Sequence, residues 1–183
     1  MLNNSSPIKF QVISYGIVAT ILLSITPVLA EKKPPATSNT STNNSALAEF
    51  KRCSVPAASL PKDCDDTRKQ IVRIKAVIKL YQKGNKAVLA DLVSGAIDSD
   101  TYLGETYGDF FATVVLKQPS EFLQVVSVKQ PTDRETLYRI TALSLPDGQV
   151  SKVTKNLKQL VAQKSNKISA VAQEFLTEIQ NSR

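Results

Sequence analysis

Residues 65–84 read DDTRKQIVRIKAVIKLYQKG, and their apolar side chains recur at intervals of three and four residues. This spacing predicts an amphipathic α-helix, because an α-helix turns once every 3.6 residues. One side of that helix would hold the apolar residues Ile71, Val72, Ile74, Val77, Ile78, Leu80 and Tyr81. Asp65 and Asp66 can cap its first turn, and Gly84 can end it in the left-handed conformation that glycine readily adopts.

The same spacing continues to the end of the chain, between residues that cap or break helices. Further helices are predicted to begin at these signals: Asn85, Asp98-Ser99-Asp100, Pro119, Pro131, Pro146 and Ser165. In the helix after Pro131, Thr132 and Glu135 have the spacing of a capping box, and Leu137, Ile140 and Leu143 form its apolar side. The β-branched residues 125, 126 and 128 would also be compatible with a β-strand, but a single strand would have no partner strand in this sequence.

The sequence therefore predicts one all-α domain over residues 46–183, built from six to seven amphipathic helices. From residue 85 onwards the helices form three consecutive pairs at intervals of about thirty residues, each pair apolar on one side. In this regular repetition of helix pairs the chain resembles short HEAT-like α-helical repeat proteins. The resemblance implies an α-solenoid with a binding or scaffolding role. A closed orthogonal helical bundle is the alternative.

The first 45 residues differ from the rest of the chain. Residues 1–30 have the layout of a secretory signal peptide, with Lys9, an apolar run over 10–23 and Val28-Leu29-Ala30 before the cleavage point. Retention as an uncleaved anchor is the alternative. Residues 31–45 read EKKPPATSNTSTNNS and offer nothing to bury, which predicts a disordered polar linker. The processed chain is expected in the periplasm or outside the cell, without a transmembrane helix.

Cysteine and histidine usage limits the chemistry of the chain. The two cysteines, Cys53 and Cys64, are predicted to form a disulfide in an oxidising compartment. The chain has no histidine, so the usual triads that activate a serine or cysteine are absent from the sequence. Two thiols also cannot complete a tetrahedral metal site. We therefore expect no cofactor, no metal and no catalytic residues.

Charge divides the chain into a basic and an acidic segment. The formal charge is +7, or +6 once Lys9 is removed with the signal peptide. Lys75, Lys79 and Lys83, followed by Lys86, form a basic stripe on the first long helix. Residues 87–116 contain no Lys or Arg, and Glu105 and Asp109 form a like-charged pair within them. The candidate interaction patch comprises Asp98, Asp100, Tyr102, Glu105, Asp109, Lys75, Lys79 and Lys83.

Gly104 and Gly108 lie in the same predicted helix as these carboxylates. Each glycine costs about 1 kcal/mol of helix stability relative to alanine. Close contact with another helix is one reason for such a pair, and room for a ligand against the backbone is the other.

These features predict an exported helical binding or scaffold module of the cell envelope that recognises a protein or an anionic envelope component. The alternative is a small hydrolase that acts on envelope glycan through the carboxylates around Glu105 and Asp109. Export makes nucleic acid an unlikely partner. The oligomeric state is left open.

Overall fold

A computed structural model describes residues 39–55, 57–163 and 167–182, and all of the regular secondary structure in this part is helical. The α-helices are α1 (Asn39–Cys53), α2 (Thr67–Gln82), α3 (Val88–Ile97), α4 (Thr101–Lys117), α5 (Pro119–Val126), α6 (Pro131–Leu143), α7 (Asp147–Ala162) and α8 (Lys167–Asn181). Two 3-10 helices, Ala57–Ser59 and Lys62–Cys64, lie between α1 and α2. The predicted all-α class is confirmed. The described residues contain eight α-helices rather than six or seven, and α1 is the additional one.

Helix α1 begins earlier than the predicted domain boundary. It starts at Asn39, inside the segment 31–45 that the composition predicts to be a disordered linker. Phe50 is buried near the other end of α1, and once that end is packed the helix extends through residues of moderate helix propensity. The rest of that segment, residues 31–38, and the predicted signal peptide, residues 1–30, lie outside the described residues.

A disulfide closes the connection between α1 and α2. Cys53 and Cys64 are bonded with their Cα atoms 5.4 Å apart, which confirms the predicted pair, and both are buried. The guanidinium of Arg52 donates to both carboxylate oxygens of Asp63 beside it. The side-chain amide of Gln70 on α2 donates to the carbonyl oxygen of Cys64. These contacts fasten the loop to the start of α2.

Three of the predicted capping residues have the expected geometry. Asp66 accepts a hydrogen bond from the backbone N–H of Lys69 at 3.1 Å, and Asp100 accepts one from Leu103 at 2.9 Å. Each carboxylate thereby satisfies a free donor in the first turn of its helix. Gly84 follows α2 with φ of +102°, a conformation that L side chains rarely adopt.

The predicted capping box at Thr132 and Glu135 is wrong. Helix α6 begins at Pro131 with Gln130 as its N-cap, and no side chain caps the helix. Proline has no backbone N–H and its φ already suits the first helical position. The helix therefore starts at Pro131, which places Thr132 inside the first turn. The predicted cap at Ser165 lies outside the described residues.

The valine-rich segment for which a strand was the alternative forms helix α5 up to Val126. Its residues Phe122, Leu123 and Val126 are buried. This confirms the helical interpretation of the valine-rich stretch. Val128 lies beyond the end of α5 and is exposed.

Helix α4 lies at the centre of the packing, where it contacts α2, α3, α5, α6 and α7. Helix α8 packs against α5, α6 and α7, and α5 packs on α3, α4, α7 and α8. In a solenoid each repeat would contact only its neighbours in sequence. Contacts between distant helices instead correspond to the closed-bundle alternative, and the α-solenoid suggested by the resemblance to HEAT-like repeats is not supported.

A row of aromatic rings runs through this core, with neighbouring ring centroids 5.0 to 6.0 Å apart. In order, the rings are Tyr81, Phe110, Phe111, Phe122, Phe175 and Tyr138. They connect α2, α4, α5, α8 and α6, which explains how α4 holds the bundle together. Among the described helices, none combines the length and the hydropathy needed to span a bilayer.

Candidate functional site

The loop between α3 and α4 holds the first two carboxylates of the predicted patch. Asp98 follows the last residue of α3, and Asp100 caps α4. The Ser99 hydroxyl donates to the carbonyl oxygen of Ala96 at 2.8 Å, which fixes the loop between them. Asp98 and Asp100 are both exposed.

The other acidic residues of the patch lie on the outer face of α4. Tyr102, Glu105 and Asp109 are exposed at positions three or four residues apart, so they share one face of the helix. Tyr102 is 71% exposed, which is unusual for a side chain of this size. The predicted acidic face is therefore present at the surface.

A groove of about 470 Å³ opens between the start of α4 and helix α6. We call it the α4–α6 groove and define it by Asp100, Gly104, Glu105, Arg139, Ile140 and Leu143. Asp100 and Glu105 supply negative charge from α4, and Arg139 supplies positive charge from α6. Leu143 is 66% exposed in the same groove. Such a volume lies within the range of sites for small ligands or inserted side chains.

The two glycines of α4 have different roles at this groove. A Cβ atom at Gly108 would lie 2.6 Å from the carbonyl oxygen of Ile140, so α4 and α6 could not pack this closely with a side chain there. A Cβ atom at Gly104 would lie 3.8 Å from its nearest neighbours, an ordinary contact distance. Close helix packing thus explains Gly108, whereas a methyl group at Gly104 would fit in ordinary contact with Ile140 and Ser99, so packing does not require glycine there.

A second, smaller depression of about 220 Å³ lies on the other side of the α3–α4 loop, next to the disulfide loop. Asp65, Asp98 and Asp100 are among its lining residues, as is the buried Tyr107. Burial raises the pKa of the Tyr107 hydroxyl well above its usual value. Within the described residues, no three Asp, Glu or Cys side chains are grouped so that they could hold a metal ion.

The basic residues of the predicted patch lie on a separate surface, the outer face of α2. We call this surface the α2 basic stripe and define it by Arg68, Val72, Lys75, Lys79 and Lys83. All five side chains are exposed, and in the described part of the chain none of the four cations forms an ion pair. Nor does any ion pair there join the stripe to the acidic residues of α4.

Lys86 does not continue the stripe, contrary to the sequence prediction. Its ammonium lies 3.7 Å from the centroid of the Tyr81 ring, 3.0 Å from Gln118 Oε1 and 3.5 Å from Glu121. Hydrogen bonding with Tyr81 raises the pKa of Lys86. The lysine thus contacts Gln118 between α4 and α5, Glu121 of α5 and Tyr81 of the helix it follows.

Sequence reasoning missed the α6 side of the groove and the apolar member of the stripe. Leu143 and Val72 were both placed on buried helix faces, yet they are 66% and 67% exposed. Arg139 carried no signal in the sequence, since a single arginine on a helix is usually solvated. Only the packing of α6 on α4 brings Arg139 and Leu143 to the carboxylates.

Comparison of the chain with protein-family models, with curated proteins and with solved structures gives no match. The chemistry of the α4–α6 groove and of the α2 basic stripe therefore indicates what the protein can bind.

Proposed function

We propose that the protein is an exported helical binding module of the cell envelope that holds a segment of a protein partner in the α4–α6 groove. The observation that carries the proposal is the lining of the groove, where Gly104 has no side chain and the exposed Leu143 lies together with the carboxylates of Asp100 and Glu105. The lining joins the apolar side chains of Ala96, Ile140 and Leu143, and an apolar surface bordered by polar residues is typical of an interaction site.

The chemistry of the groove specifies the kind of segment that it would hold. Gly104, Ile140 and Leu143 favour an apolar side chain, because burying it removes apolar surface from water. Asp100 and Glu105 favour lysine or arginine next to that side chain. The partner is thus a segment with an apolar residue between basic ones.

Export is part of the proposal. The signal-like residues 1–30 support it, and so does the buried disulfide, because such bonds persist in oxidising compartments. An anionic envelope component is the second kind of partner, and it would bind the α2 basic stripe. Four exposed cations without ion pairs in the described residues support this second form.

The hydrolase alternative has less support from the geometry. Glu105 lines the groove, but Asp109 lies one turn further along the outer face of α4 and is not part of the lining. Glycoside hydrolysis requires two carboxyl groups that flank the scissile bond. If a glycan-cleaving activity is detected and Glu105→Gln abolishes it, the hydrolase replaces the binding module.

Fluorescence anisotropy with a labelled peptide tests the proposal. The probe is a short peptide with one leucine flanked by lysines, and binding is compared with that of a peptide in which serine replaces the leucine. Gly104→Leu should fill the groove and abolish binding without changing charge. Gly148→Leu is the matched control, because nothing lies within 4 Å of a Cβ atom at that exposed position of α7.

Circular dichroism must show that both variants remain helical. Loss of binding in Gly104→Leu alone supports the groove as the site. Equal binding by wild type and Gly104→Leu, or no binding by the wild type, would overturn the proposal. Sedimentation with anionic vesicles tests the second form, in which Lys75→Glu/Lys79→Glu/Lys83→Glu should lose binding.

A further inference from the structure

We propose that the protein partner of the α4–α6 groove is a second copy of this chain, which inserts its α2 basic stripe into the groove. This inference rests on the proposed function, since it names the partner of the same site. The stripe has the composition that the groove requires, an exposed apolar side chain between basic ones.

The donor surface is a straight row on α2. From Arg68 to Lys83 the row covers fifteen residue steps, or about 22 Å of helix. Val72 is 67% exposed and lies between Arg68 and Lys75 on the same face. The core valines are almost fully buried, whereas Val72 buries little of its surface within its own copy. Its side chain is therefore available to a partner.

The acceptor surface consists of the α4–α6 groove and the outer face of α4 beside it, and it matches the stripe in sign and in spacing. Glu105 and Asp109 are four residues apart on α4, and Lys75 and Lys79 are four residues apart on α2. Each is a like-charged pair that weakens its own helix. Contact between two copies would place each pair against charges of the opposite sign, which relieves both repulsions.

The apolar parts of the two surfaces also correspond. Val72 of one copy would cover Leu143 and the groove wall at Gly104 of the other, so that the exposed side chains of Val72 and Leu143 both leave water. Arg139 lies on the α6 wall and repels lysine, so it directs the basic side chains of the stripe towards the carboxylates of α4.

The contact is heterologous, because the two surfaces are different and share no residue. One copy can therefore give its stripe to one neighbour and its groove to another, and copies can join head to tail. This arrangement predicts association that increases with protein concentration and decreases with salt.

Sedimentation velocity of the purified protein at low and high salt tests the inference. The wild type should associate at low salt and dissociate at high salt. The stripe variant is Lys75→Glu/Lys79→Glu/Lys83→Glu, and the acceptor variant is Glu105→Lys/Asp109→Lys, which changes the groove and the α4 face beside it. Each variant alone should be monomeric, because each lacks one of the two surfaces. Their equimolar mixture should form a one-to-one complex and nothing larger, since each variant retains the surface that the other lacks.

Three further variants separate this contact from general charge effects. Lys152→Glu/Lys155→Glu/Lys158→Glu on α7 changes the net charge by the same amount as the stripe variant, at exposed positions, and should associate as the wild type does. Val72→Ser changes no charge and should weaken association by about tenfold, because it removes a buried valine from the contact. Arg139→Glu should strengthen association.

The outcomes also separate this inference from the proposed function. If the wild type stays monomeric at low salt but the leucine–lysine peptide binds the groove, the second copy is excluded and the binding module stands. If neither occurs, both fail. Equal loss of association in the α7 and stripe variants, or no complex in the mixture, would overturn the inference as well.

Discussion

Gly108 of α4 lies against the main chain of Ile140 in α6, where a Cβ atom would fall 2.6 Å from the carbonyl oxygen. Real Cβ atoms essentially never approach so closely, and the main chain of a packed helix cannot yield easily. We therefore expect Gly108→Ala to lower the free energy of unfolding by about 1–3 kcal/mol. Urea unfolding followed by circular dichroism measures this change.

Gly104→Ala is the matched control on the same helix and should have the opposite sign. Its Cβ atom would lie 3.8 Å from Ile140 Cγ2, so no neighbour has to move. Alanine is the better helix former, and the free energy of unfolding should rise by up to about 1 kcal/mol. A similar destabilisation by both substitutions would show that position 104 does not accommodate a methyl group.

The guanidinium of Arg134 on α6 is held by two partners. Its Nε and Nη2 atoms donate to the two carboxylate oxygens of Glu174 on α8, both at 2.8 Å, and Nη1 donates to the carbonyl oxygen of Lys129 at 3.0 Å. An ammonium cannot make this forked contact, so Arg134→Lys should reduce the free energy of unfolding by about 1 kcal/mol. The effect is modest because the Glu174 side chain is 42% exposed.

Arg139→Lys is the control for that substitution. Arg139 is exposed on the same helix and forms no ion pair within the described part of the chain. The same chemical change should therefore leave the urea midpoint unchanged. Equal effects at both positions would mean that helix propensity, and not the contact with Glu174, determines the result.

The helices, most of their ends and the disulfide could be predicted from the sequence, because those features depend on local chemistry. Asp66, Asp100 and Gly84 act within one turn of their own helix, and Cys53 and Cys64 are close in the chain. Apolar periodicity identifies which residues are candidates for burial, but it does not say how wide the buried stripe is. Val72 and Leu143 lie at the edges of such stripes and are exposed.

The topology could not be predicted in the same way. Regular proline spacing suggested consecutive helix pairs, but the position of α4 depends on how apolar faces combine across the whole chain. The acidic face of α4 was predictable from charge alone. The groove exists because Gly108 allows α6 to pack closely against α4. The residues around Gly108 in the sequence do not indicate which helix packs against it.

The buried disulfide should supply a large part of the stability of the connection between α1 and α2. In the chain-entropy model, a bond closing a loop of this length contributes about 3 kcal/mol by restricting the unfolded chain. We expect Cys53→Ala/Cys64→Ala to lower the free energy of unfolding by about this amount while the helical signal in circular dichroism persists. A loss far below that value would indicate that Arg52 and Gln70 hold the loop without the bond.

The ion pair inside that loop makes a prediction about pH. The hydrogen bond from Arg52 holds the pKa of Asp63 at about 2, below its usual 3.8. The folded state therefore favours the charged carboxylate, and the stability from this pair is complete above pH 3.8 and is lost as the pH falls through about 2. Carbon-13 NMR of the Asp63 carboxyl group should show the low midpoint in the wild type. Arg52→Gln should move it back towards 3.8, whereas Arg68→Gln, an exposed arginine that is not bonded to Asp63, should leave it in place. An unchanged midpoint in Arg52→Gln would show that the guanidinium does not hold the carboxylate in solution.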